Sequence, residues 1–142
     1  MRGGRFLMAA LAALTVLTVS CGDEGPPALR QMSNTYSYTI RPDDSPPHAR
    51  QDIHYVVQIF DRKTRQPIDN GEGQLYASNN NGAKTWDGLA YGPEVGTYHA
   101  KLNFVVAGTW AVAIRFRRDS LRPLEKIDWM QEVHDEKPST VP

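Results

Sequence analysis

The sequence predicts an all-β domain, an immunoglobulin-like antiparallel sandwich of about seven short strands preceded by an N-terminal signal helix. Three observations lead there. Apolar and aromatic side chains alternate with polar ones at period two in several stretches after residue 35. Turn residues punctuate those stretches at close spacing. Beyond the first 20 residues, no segment carries the apolar spacing of an amphipathic helix.

Taken in order, Tyr36, Tyr38 and Ile40 alternate with Thr35, Ser37 and Thr39, and Pro42–Pro47 (PDDSPP) then breaks the chain. Ile53, Tyr55, Val57 and Ile59 share one face of the next strand. Val56 and Phe60 on its other face suggest a central strand buried on both sides. After a polar loop with Pro67, a strand over Gln74–Ser78 meets Asn79-Asn80-Asn81-Gly82. Asn-Gly is a strong hairpin signal because both residues tolerate positive φ. The returning strand carries Trp86, and Gly88–Gly96 is rich in turn residues. Tyr98, Ala100, Leu102 and Phe104 form a further strand that turns at Ala107-Gly108. Trp110, Val112, Ile114 and Phe116 form the clearest strand of all. A last one, near Leu124–His134, puts Ile127, Trp129 and Val133 on one face.

The boundaries that follow are 1–20 for a signal peptide, 21–34 for a flexible tether, 35–135 for the sandwich and 136–142 for a frayed tail. Met1–Arg5 is short and basic. Phe6–Val19 (FLMAALAALTVLTV) is 14 residues without a charge, short of the ~20 a membrane span needs and within the range of a secretory signal. Leu17-Thr18-Val19-Ser20-Cys21 resembles a bacterial lipobox, with Thr18 where the motif prefers an aliphatic residue. That resemblance implies acylation of the Cys21 thiol and cleavage before it. The alternative is plain cleavage near Ser20 that leaves a free thiol. Gly22, where an aspartate would favour inner-membrane retention, points to the outer membrane of a two-membrane envelope. Gly22–Arg30 (GDEGPPALR) has tether composition.

Charge bounds the partners. The chain has 16 Lys plus Arg and 16 Asp plus Glu; without Arg2 and Arg5 the mature chain holds 14 against 16, a net charge of −2. A nucleic-acid binder would need a strongly basic face. Cys21 is the sole cysteine, so the domain has no internal disulfide and stands on its core.

Gly96-Thr97-Tyr98 and Gly108-Thr109-Trp110 each set a glycine at a turn and an aromatic two residues into the following strand. With the preceding IHYVVQIFDRKTRQPID, this order resembles the YtkA-like and FixH-like domains of bacterial envelopes over about Ile53–Arg117. The resemblance implies an accessory module of a membrane complex, linked in that family to copper-containing oxidases. It implies Met and His near the third and fourth strands as copper ligands. This chain departs there, since LYASNNNGAKTWD contains neither. Copper(I) prefers soft sulfur ligands, and the mature chain offers Met32, Met130 and Cys21.

No cofactor and no metal site is therefore expected. The weak metal candidates are His54 and His99 on neighbouring strands, with Met130 and His134 sharing a face of the last strand. No Gly-x-Ser-x-Gly elbow and no orderable Ser/His/Asp set is present, so a non-catalytic protein is expected. The candidate partner-binding residues are the basic cluster Arg115, Arg117, Arg118 and Arg122, and Trp86 beside Asp87-Gly88. Three functions are open: an envelope accessory module held to the membrane by a lipid, a passive structural lipoprotein, and a small-ligand or carbohydrate module using Trp86 and the Asn-rich hairpin.

Overall fold

Alternating burial divides the chain into two antiparallel sheets whose inner faces share one core. The computed structural model describes residues 27–139; the signal segment and Cys21 lie outside the described residues. Nine strands follow: β1 Leu29–Met32, β2 Tyr36–Pro42, β3 Asp52–Asp61, β4 Glu72–Ser78, β5 Lys84–Gly88, β6 Ala90–Tyr91, β7 Thr97–Asn103, β8 Gly108–Arg117 and β9 Glu125–Val133. One sheet runs β1-β2-β3-β7-β6 and the other β5-β4-β8-β9. Among the described residues there is no helix.

Tyr36, Tyr38 and Ile40 of β2 point inward with Ile53, Tyr55, Val57 and Ile59 of β3 and Tyr98, Ala100 and Leu102 of β7. From the other sheet come Leu75 and Ala77 of β4, Trp110, Val112, Ile114 and Phe116 of β8, and Ile127 and Val133 of β9. Aromatic edges join the layers: Phe116 meets Tyr36 at 5.1 Å and Tyr98 at 5.2 Å between ring centroids. Such edge-to-face pairs add to the stabilisation from area burial alone.

Two strands exceed the expected seven, and both are short sheet edges. β1 lies in the stretch expected as tether. Its backbone pairs with β2 from Leu29↔Ile40 to Met32↔Ser37, although its four residues are too few to show an apolar period. β6 lies inside the turn-rich Gly88–Gly96 segment and pairs only Ala90↔His99 and Tyr91↔Tyr98. Of the segment expected to fray, Glu136 and Lys137 each make an ion pair. Lys137 Nζ pairs with Asp44 Oδ1 at 2.9 Å, and Arg50 with Glu136 at 3.5 Å. β3 is central, between β2 and β7, but Val56 and Phe60 on its outer side are only half-buried, since nothing described covers that face.

The hairpin between β4 and β5 forms where Asn-Gly predicts it, with a different turn. Gly82 has φ +84°, whereas Asn81 is not left-handed. The backbone bonds Asn79 N to Ala83 O and Gly82 N to Asn79 O make a three-residue loop ending in a left-handed glycine. The Asn79 side-chain oxygen fixes it by accepting from Asn81 N and Ala83 N, each at 3.0 Å.

Both aromatics of the Gly-x-aromatic pairs are buried and anchored through their polar tips. The Tyr98 hydroxyl donates to Ile68 O and accepts from Gly71 N, both at 2.8 Å, fastening the β3–β4 loop to β7. Burial pushes its pKa up to about 12. Trp110 Nε1 donates to Val106 O at 3.0 Å. Gly96 is required in full: its φ is +74°, and a Cβ there would stand 2.5 Å from Pro67 Cβ.

Candidate functional site

The outer face of the four-stranded sheet is set by period two. Leu75, Ala77, Val112 and Ile114 face the core, so Tyr76, Ala111, Ala113 and Arg115 face outward. Register lines them up in rows across the strands. Trp86, Tyr76, Ala113 and Asp128 form one row, and Lys84, Ser78, Ala111 and Met130 the next. Gln74, Arg115 and Lys126 form a third.

Trp86 is 69% exposed because β5 turns its alternate residues toward the other sheet. Thr85 Oγ1 accepts from Asn103 N at 3.3 Å, and Asp87 accepts from Lys101 N at 2.8 Å, so Trp86 between them projects outward. The Arg115 guanidinium lies 5.1 Å from the Tyr76 ring centroid, a cation–π distance. Ala111 and Ala113 form a low floor. Tyr76 stands between two shallow grooves of about 330 and 390 Å3, one bounded by Trp86 and Arg115, the other by Trp129 and Met130. The face pairs flat aromatic surface with polar tips from Gln74, Ser78, Lys84 and Asp128.

The basic cluster does not assemble as one patch. Arg115 and Arg117 stay together on the outer face and line one shallow groove, where Arg117 pairs with Glu72 at 3.3 Å. β8 ends there, and Arg118 turns to the end of the sheets, where it pairs with Asp61 at 2.8 Å. Arg122, in the β8–β9 loop, lines an open cavity of about 550 Å3 with Lys63, Arg118, Asp61, Thr35 and Glu125. Both carboxylates there are held below the ordinary range. For Asp61 the main causes are the backbone N–H groups of Thr64 and Lys63, helped by Arg118. For Glu125, burial acts upward but is outweighed by donors from Ser33 and Thr35.

His54 and His99 do share the outer face of the five-stranded sheet. Because His54 pairs with Lys101 and His99 with Val56, they are diagonal neighbours, both exposed. The histidines brought closest are others. His48 and His134 join the β2–β3 loop to the end of β9, with ring centroids 5.8 Å apart. The His48 ring bonds Asp44 at 2.7 Å. Among the described residues, no three His, Cys, Asp or Glu side chains group to hold a metal ion. The sequence reading missed Tyr76 and Met130 as companions of Trp86, although both stand at outward positions of their strands.

No protein-family model matches the chain, and neither does any curated protein or any solved structure.

Proposed function

We propose that this protein is a lipid-anchored, non-catalytic binding module of a bacterial-type cell envelope, an immunoglobulin-like sandwich of YtkA-like or FixH-like type serving a membrane complex. Its signal peptide ends at Ser20, and Cys21 carries the lipid that holds it to a membrane facing the periplasm or exterior. Partner binding falls to the outer face of β5-β4-β8-β9. The observation that carries this reading is the exposed Trp86 beside the Arg115–Tyr76 stack, flanked by two grooves of which one is floored by Ala111 and Ala113. Trp, Tyr and Arg are the residue types that dominate binding energy at protein interfaces.

Two measurements test it. Cys21→Ser should shift the protein from the membrane fraction to the soluble one or leave the precursor uncleaved; unchanged fractionation with normal maturation would refute the anchor. A photo-crosslinking residue at position 86 should trap a partner in native membranes, and one at position 54 on the opposite outer face should not. Equal trapping at both would remove the face from consideration. A second reading, a carbohydrate module, is supported by the flat Trp86 ring close to the Asn79–Gly82 hairpin. Retention on insoluble cell-wall polysaccharide, abolished by Trp86→Ala, would favour it.

A further inference from the structure

We propose that β9 is a self-association edge: two copies of this chain join their β9 strands antiparallel, turning two four-stranded sheets into one of eight. The inference goes beyond the binding reading above and does not need it.

An edge strand presents a row of unpaired backbone N–H and C=O groups, and monomeric proteins keep such edges short, bulged, charged or covered; β9 is charged, and its charges restrict pairing to a register that matches them. Three of the four edges here are short: β1 has four residues, β5 five and β6 two. β9 has nine and pairs with β8 in an unbroken register from Gly108↔Val133 to Phe116↔Glu125. It contains no proline and no bulge, and among the described residues no named strand pairs with its other side; just past its end His134 exchanges backbone bonds with Pro47 and Ala49 of the β2–β3 loop, so the open length is Glu125–Val133 itself.

The side chains specify one register. The outward row of β9 reads Lys126, Asp128, Met130, Glu132, and the inward row Glu125, Ile127, Trp129, Gln131, Val133. With a two-fold axis through Trp129, all nine residues overlap. Lys126 then stands opposite Glu132 of the second copy, twice by symmetry, and Asp128 stands opposite Met130. Moving the axis to residue 128 sets Asp128 against its own copy. Moving it to residue 130 sets Asp128 against Glu132. Both place like charges directly opposite, which is unfavourable. Of the registers that overlap seven or more residues of β9, the one with full overlap is thus the charge-complementary one.

Trp129 adds a second argument. It packs on the rim of the core yet stays only half-buried. In this register two Trp129 rings meet across the axis, a cross-strand aromatic pair that covers the surface each leaves open. The axis stands perpendicular to the sheets. The interface is isologous and closes at two copies.

The test is a charge swap on the full chain in detergent, read by sedimentation equilibrium with the detergent mass matched out. The wild type should be a concentration-dependent dimer. Lys126→Glu alone and Glu132→Lys alone should each sediment as a monomer, because each sets like charges opposite one another twice. An equimolar mixture of the two should dimerise again, as should the double variant. That recovery separates an interface effect from misfolding. A wild type that stays monomeric at high protein concentration would overturn the proposal. So would a dimer that survives both single variants, or a mixture that fails to recover.

Discussion

At the scale of single residues, polar groups that are buried with and without partners behave differently. The Tyr98 hydroxyl is satisfied twice and fixes a loop. The Tyr55 hydroxyl is buried with no hydrogen-bond partner, and burial pushes its pKa upward. A buried unpartnered polar group costs about 1–3 kcal/mol. Tyr55→Phe should therefore leave Tm unchanged or raise it; a clear fall would mean that the hydroxyl bonds a partner in solution. Gly96 is the opposite case. A left-handed backbone costs an L residue about 1–2 kcal/mol, and the Cβ would also meet Pro67 at 2.5 Å. Gly96→Ala should lose about 2 kcal/mol or more in urea unfolding, with a loss near zero showing that the loop can shift aside.

At the scale of elements, β9 is held at its start by a carboxylate as well as by β8. Glu125 accepts from Ser33 Oγ, Thr35 N and Thr35 Oγ1 in the β1–β2 turn, so it ties the edges of the two sheets together. Its folded pKa lies below the ordinary 4.5. A depressed carboxyl pKa stabilises the fold above the unfolded value, and that contribution disappears as pH falls through the folded value. Stability should therefore drop on acidification below about pH 4.5. Glu125→Gln should flatten this part of the profile while lowering stability at neutral pH. Parallel profiles for the two proteins in urea titrations from pH 3 to pH 7 would rule out the tie.

At the scale of the whole molecule, a single core carries the fold, since no disulfide helps it. Trp110 is its largest fully buried side chain, at 0% exposure, edge-on to Phe104 at 5.2 Å. Trp110→Ala should cost about 3–5 kcal/mol; a loss below about 1 kcal/mol in urea unfolding would place the ring outside the core. The two outer faces differ. One presents Trp86, Tyr76, Arg115 and Met130, and the other presents His54, His99 and Lys101. Binding is therefore expected to be one-sided.

The sequence by itself determined the all-β class, the inward rows of β2, β3, β7 and β8 and the place of the β4–β5 hairpin. All of these follow from side-chain period and local turn chemistry. Tertiary structure decided the rest. β1 and β6 exist because neighbouring strands offered them backbone partners, which their own few residues could not signal. The arginine cluster divided because β8 ends at Arg117, leaving Arg115 and Arg117 on a sheet face and sending Arg118 and Arg122 to a sheet end. His48 found His134 across 86 residues, and Trp86 found Tyr76. Such meetings depend on strand order and register, and those are set by long-range pairing that no local window of sequence contains.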